Sequence, residues 1–308
     1  MASPMIIDLP DTTTNAVNAR LLAISEELGA SAMGRVLTLV IAPDTDATIE
    51  DSIAAACYAS HEHPCRVILV SPADRLADTP RLDAQIRTGA DAGAGEVVVL
   101  RLSGALARQS ASVVVPFLLP DTPVVAWWPD VAPSVPADHP LGKLAVRRIT
   151  DATRAVDPLA AIRSRLVGHR AGDTDLCWAR ATYWRALLAA AVDQAPGQQI
   201  RSVLVAGRKG EPALDIMAGW LAARLSVPVR RAVSDDPRVE LNTGAETVTL
   251  SRPQDGLTAT LSRTGRPDAL LPLAYRGTPD CLAEELRRLS ADEIYAEALR
   301  GLDQVEYV

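Results

Sequence analysis

A chain of 308 residues has room for two ordinary domains, and 48% apolar with 22% charged residues rules out a mainly disordered protein. The net charge of −7, with Arg supplying nearly all the positive charge, argues against nucleic acid or an anionic membrane surface as the partner. Aromatic residues are scarce (five Trp, five Tyr, one Phe), so the core has to be built from Ala, Val, Leu and Ile. The chain starts without a basic stretch followed by an apolar run, so no secretory signal is expected. No apolar stretch approaches the roughly 20 residues that span a bilayer. Four Cys in so long a chain do not make a disulfide framework, and reduced thiols in a cytoplasm are expected.

In chain order, apolar spacing predicts a helix over 12–29, a buried strand over 35–42, a helix over 44–61 and a second buried strand over 66–70. Residues 82–88 alternate, and 96–102 follow the Gly-rich segment 89–95, which predicts a hairpin or close strand pair. A helix is expected over 106–119 and a strand over 123–128. A rigid proline-rich surface loop is expected over 129–140, a strand over 147–150 and a helix over 157–167. The polar, Gly-containing stretch 168–175 is the expected boundary between domains 1–170 and 171–308. Beyond it, helices are predicted over 176–193 and 213–225, a strand over 200–206, and strands over 229–233, 239–241, 247–250 and 257–262. Helices over 279–289 and 292–302, the second starting after Ser290, close the chain. The expected class is α/β: an N-terminal Rossmann-like, mostly parallel sheet with helices, then a smaller mixed α/β sheet domain.

Few motifs carry chemistry. The 89–95 glycines lead into a strand, so a phosphate would meet no helix N-terminus there. The turn Gly207-Arg208-Lys209-Gly210, between a strand and a helix opened by Pro212, offers free backbone N–H groups and two cations to an anion. It lacks the Lys-Ser/Thr of a P-loop, and a plain turn with solvated charges is the ordinary reading. Cys57, His61, His63 and Cys65 are zinc-type ligands, but their spacing fits no standard pattern. Buried thiols and two His near a helix end are the preferred reading, and no metal or cofactor is assigned. There is no Gly-x-Ser-x-Gly elbow, and no carboxylate pair is marked out as acid and base, which argues against an enzyme. Trp127 and Trp128 end a strand ahead of Pro129 and the proline-rich loop. Strand alternation sends one ring to each face, so one is expected near the surface, where Trp often anchors a partner.

Nine segments together resemble the family of glucose-6-phosphate dehydrogenase assembly proteins (OpcA), of the actinobacterial type. They are Asp11-Thr-Thr-Thr14, Arg35-Val-Leu-Thr-Leu39, Ser60-His-Glu-His-Pro-Cys-Arg-Val-Ile68, Asp91-Ala-Gly-Ala-Gly-Glu96 and Leu118-Leu-Pro-Asp-Thr-Pro-Val-Val-Ala-Trp-Trp-Pro129, followed by Arg147-Arg-Ile-Thr-Asp151, Trp184-Arg-Ala-Leu-Leu188, Ala218-Gly-Trp-Leu-Ala222 and Asp292-Glu-Ile-Tyr295. The resemblance implies a non-enzymatic protein that binds glucose-6-phosphate dehydrogenase, promotes its active form and supports the oxidative pentose phosphate pathway and NADPH supply. It supplies no residue-level site. Thioredoxin control, a trait of cyanobacterial members, is not expected, because the chain has no Cys-x-x-Cys pair. The alternative reading is a sugar-phosphate or nucleotide sensor using residues 207–210.

Overall fold

In the computed structural model the described residues are 5–27, 35–88, 96–193, 199–253 and 256–308. They form two compact units. The first comprises Met1–Asp151, Arg170–Asp173 and Thr278–Ala291, and the second Ala152–His169, Thr174–Gly277 and Asp292–Val308.

The elements run β1 (Met5–Leu9), α1 (Thr14–Glu27), β2 (Leu37–Ile41), α2 (Ile49–Glu62), β3 (Cys65–Asp74), β4 (Arg81–Thr88), β5 (Val97–Ser103), α3 (Ser110–Val114), β6 (Val124–Trp127), α4 (Pro140–Leu144), β7 (Arg147–Thr150), α5 (Pro158–Gly168) and β8 (Asp173–Asp175). They continue with α6 (Leu176–Arg180), α7 (Thr182–Asp193), β9 (Ser202–Gly207), α8 (Pro212–Leu225), β10 (Val229–Val233), β11 (Arg238–Asn242), β12 (Thr247–Ser251), β13 (Thr258–Arg263), β14 (Arg266–Pro272), α9 (Thr278–Arg287), α10 (Glu293–Gly301) and β15 (Val305–Tyr307).

The first sheet has the order β1-β4-β5-β3-β2-β6-β7-β8. Its centre is parallel: β2 pairs with β3 and β6, β3 with β5, and β6 with β7. Every residue of β2, β6 and β7 is buried, as strands covered on both faces require. The expected hairpin is present as the antiparallel pair β4–β5, with Arg87 opposite Val97; its Gly-rich tip, 89–95, lies outside the described residues. Val17, Ile24, Val40, Ile68, Leu100, Val114, Phe117 and Trp128 share one apolar core. Full burial of one such side chain is worth about 1.5–3 kcal/mol.

The second sheet, β14-β13-β12-β11-β9-β10-β15, combines a parallel β9–α8–β10 unit with an antiparallel meander. Helices α8 and α10 cross at glycines. A Cβ on Gly219 would stand 2.3 Å from the Ala298 carbonyl oxygen, and one on Gly301 1.9 Å from that of Gly219. Any larger residue there has to push the backbones apart. As expected, α5 begins at Pro158; Asp157 caps it by accepting from the Ala160 N–H, and α10 is capped by Asp292, not Ser290.

Several expectations are corrected. The helix over 106–119 is broken into short 3-10 turns around the five-residue α3, because Pro116 supplies no N–H to continue it. The helix over 176–193 divides at Ala181 into α6 and α7. There the Arg185 guanidinium lies 3.4 Å over the Trp178 ring and donates to the Trp178 carbonyl and the Thr182 hydroxyl, serving groups at the break. In the stretch read as a polar linker, Gly172 to Asp175 are buried. Asp173 pairs with Arg148, while Asp175 accepts from the Ala152 and Cys177 N–H groups. β1, β14 and β15 were not anticipated, and β14 is exposed along nearly its whole length, so no alternation marks it.

Candidate functional site

In each unit a cavity lies beside a turn that joins a strand to a helix. In the first unit, β2 and β6 are adjacent parallel strands whose connections leave in opposite directions, so their C-terminal ends bound the crevice where open α/β sheets hold ligands. The turn after β2 leads through a 3-10 turn (Asp46–Thr48) into α2, and Thr45 makes no side-chain cap. The anion position of such a turn is filled from within. The Asp130 carboxylate accepts from the Asp44 N–H at 2.9 Å, the Thr45 N–H at 3.2 Å, the Thr45 hydroxyl at 3.2 Å and the Thr48 hydroxyl at 2.9 Å. It also accepts from the Val131 N–H at 2.7 Å. A cavity of about 260 Å³ remains beside it, bordered by Asp44, Ser71, Arg75, Trp128 and His139. Arg75 pairs with Asp44 across its edge. His139 Nδ1 accepts from the Leu141 N–H at the start of α4, its ring meets Trp128 edge-on at 5.6 Å, and burial holds its pKa below the ordinary imidazole value.

Trp127, Trp128 and Pro129 are all buried, with the two indoles only 1% and 3% exposed. The expectation of one surface ring is therefore corrected. Alternation sends the rings to opposite faces, but both faces of β6 are covered, so neither ring reaches solvent.

In the second unit β9 ends at Gly207 and α8 starts at Pro212. Gly210 is needed where it stands, with φ +82°, and a Cβ on Gly207 would come 2.2 Å from the end of the Leu214 side chain, which would have to shift. Arg208 and Lys209 are exposed. The turn is held by a cation that no local motif announces. Buried Arg231 donates to the Asp215 carboxylate at 2.9 Å and to the carbonyls of Gly207 and Arg208 at 3.1 and 2.8 Å. Burial raises the Asp215 pKa, and the Arg231 charge opposes that rise.

Beside the turn lies a cavity of about 120 Å³, bordered by Gly210, Glu211, Arg180, Arg252, Arg276, Trp184 and Tyr275. Glu211 makes no side-chain cap for α8, and its Oε2 is buried without a hydrogen-bond partner among the described residues. Arg252 is 7% exposed; its Nη1 donates to the Leu273 carbonyl at 3.1 Å, and its Nε has no partner among the described residues. These arginines come from four separate stretches of chain, counting Arg231, and no sequence spacing joins them.

Among the described residues no group of three His, Cys, Asp or Glu could hold a metal ion. Cys57 and Cys65 are buried and form no disulfide, and burial pushes the Cys65 thiol up to about 12. Among the described residues no helix is long and apolar enough to cross a membrane.

Comparison with known proteins gives two family matches in tandem. Residues 56–166 match the glucose-6-phosphate dehydrogenase subunit N-terminal domain (the OpcA assembly family), and residues 171–299 match the corresponding C-terminal domain. No curated protein sequence matches significantly. Among solved structures, the chain is similar to UDP-N-acetylglucosamine 3-dehydrogenase GnnA from Acidithiobacillus ferrooxidans, with 11% identity, 88% of this chain and 96% of that chain covered, and a TM-score of 0.39. It is also similar to an oxidoreductase from Sinorhizobium meliloti, with 10% identity, 88% and 95% covered, and a TM-score of 0.41. At such low identity and TM-score neither likeness bears on activity.

Proposed function

The chain belongs to the OpcA family of glucose-6-phosphate dehydrogenase assembly proteins, and from that membership we propose that it is a non-enzymatic allosteric activator or assembly factor of this dehydrogenase. The observation that carries the reading is the tandem match, which takes up most of the chain in the expected order. In this reading the protein acts in the cytoplasm and raises NADPH supply through the oxidative pentose phosphate pathway. The domain division 1–170 and 171–308 is part of the proposal, supported by family segments that end at 166 and resume at 171.

The filled crevice of the first sheet favours a binding role over catalysis. Where a Rossmann-like sheet would offer backbone N–H groups to a phosphate, Asp130 already accepts them. An activator needs no such site. It has to bind the active form of its partner more tightly than the inactive form, and its effect cannot exceed that difference. We assign the partner surface to the loop 130–139, with Trp127, Trp128 and Pro129 as its internal supports. Val131, 62% exposed at the loop's start, is available for contact.

The test is to mix the purified chain with its cognate dehydrogenase and follow co-elution together with NADP reduction. A complex and a faster rate are expected, with Val131→Asp weakening both. Absence of a complex and of any rate change would overturn the reading.

A further inference from the structure

We infer that the open face of the second sheet, the one turned away from α7 and α8, docks onto the same face of a second copy of this chain. The apolar cover of this sheet lies on one side. Trp184 and Leu188 of α7 and Met217 and Leu221 of α8 share one core with inward residues of the strands, among them Val205 and Val239. By strand alternation the intervening residues present the other side. The pairing register lines up Glu306, Arg230, Leu204, Glu240, Thr249 and Ser262 in one row across six strands. The next row includes Arg238, Ser251, Thr260 and Leu270. No core cluster includes a residue of either row, and Leu270 is 73% exposed.

A solvated face is ordinary for the antiparallel part of such a sheet. β9, β10 and β15, however, are parallel, and parallel strands are as a rule covered on both faces. Three properties fit a second copy to the missing cover. The first is charge. The chain carries −7, which sets copies against each other. On these rows Arg230 and Arg238 balance Glu306 and Glu240, with which they pair at 3.5 and 2.8 Å, so two such faces meet without net repulsion. The second is hydrogen bonding. The partly exposed Thr249, Ser251, Thr260 and Ser262 present hydroxyls, each able to donate and to accept, which makes the face complementary to itself. A two-fold interface requires that property, because it uses one patch twice. Short side chains also let two sheets stack at about 10 Å. The third is area. Seven strands about 4.8 Å apart, five residues long at about 3.3 Å each, make a face of roughly 34 by 17 Å. Side-chain relief adds to that projection of roughly 600 Å² and brings it near the about 800 Å² per partner of a stable interface.

This surface is distinct from the loop 130–139. Its pairing requires no dehydrogenase, so its failure and the failure of the activator reading are seen in separate experiments.

The test is sedimentation equilibrium of the purified full chain over a range of concentrations. The mass is expected to rise from the 32.7 kDa of one copy toward twice that value. Thr249→Arg sets a cation opposite Glu240 on the neighbouring strand, a pairing that the folded monomer accommodates. Leu270→Arg changes a side chain that is 73% exposed, so the monomer keeps its core. Each should raise the dimer dissociation constant by about tenfold or more, because a change in a two-fold interface enters it twice. Leu76→Arg, at a position of the first unit that is 91% exposed, should change it by less than about twofold, as expected of a screened surface charge. The proposal falls if the parent sediments as a monomer throughout. It falls equally if the dimer survives both variants of this face, or if Leu76→Arg weakens it as much. A monomeric parent that binds the dehydrogenase and loses it in Thr249→Arg would assign the face to the dehydrogenase and overturn the pairing of copies.

Discussion

The two strand-to-helix turns of this protein start from the same problem and end differently. Each brings uncapped N–H groups at a helix start to the edge of a cavity. At the first, a carboxylate from elsewhere in the chain, Asp130, accepts two backbone N–H groups and two hydroxyls of the turn. At the second, Arg231 binds the turn's carbonyls, and a cavity beside the turn is bordered by Arg180, Arg252 and Arg276. A fold that places helix N-termini at sheet edges therefore does not by itself make a phosphate site. What decides is whether a side chain of the protein has already taken the anion's place.

The contrast can be broken at its strongest point first. Replacing Arg231 with Ala leaves Asp215, only 3% exposed, without its cation, and should cost about 3–5 kcal/mol in urea denaturation. A loss below about 1 kcal/mol would mean that the second turn does not depend on that cation. Next, Asp130→Ala should cost about 2–3 kcal/mol by the same measurement, because the Asp44 and Thr45 N–H groups lose their acceptor. Added phosphate should then raise the melting temperature of the variant but not that of the parent. If phosphate stabilises both alike, Asp130 does not occupy an anion position.

The smallest effect concerns His139 beside the first cavity. Its cap on α4 needs an unprotonated Nδ1, and burial holds its pKa below the ordinary 6.5. The unfolded chain therefore takes up this proton first as pH falls. The stabilisation is complete above about pH 6.5 and is lost as pH falls below that value toward the folded pKa. His139→Gln should flatten this part of the stability–pH curve. An unchanged curve would show that the histidine carries no such linkage.

Much of the fold was legible in the chain. The β-branched runs at 35–42, 66–70 and 147–150 correspond to strands with buried interiors, and α5 begins at Pro158, as a proline at a first helical position suggested. These are local signals, carried by spacing over a few residues. The sites were much less legible. Gly207 and Gly210 do form the turn that the motif indicated, yet its support, Arg231, lies 24 residues from Gly207. Arg252 and Glu211 show nothing unusual in sequence, since an isolated Arg or Glu is ordinarily solvated. The tryptophans misled in the other direction. Alternation correctly implied opposite faces for Trp127 and Trp128, but only the packing around β6 determined that both faces are covered.

By itself, then, the sequence determined the alternation of helices and strands, the mostly parallel first sheet, the mixed second sheet and the family. Those properties follow from apolar periodicity, turn residues and segment order, all readable along the chain. Only the tertiary structure decided which charges are buried and what they face. The ion pair between Arg147 and Glu285 joins residues 138 positions apart, and the Asp130 contact to Asp44 joins residues 86 apart. A charge leaves water only when distant segments meet around it and supply its partners. For that reason the filled turn and the arginine-lined cavity emerge only in the folded chain.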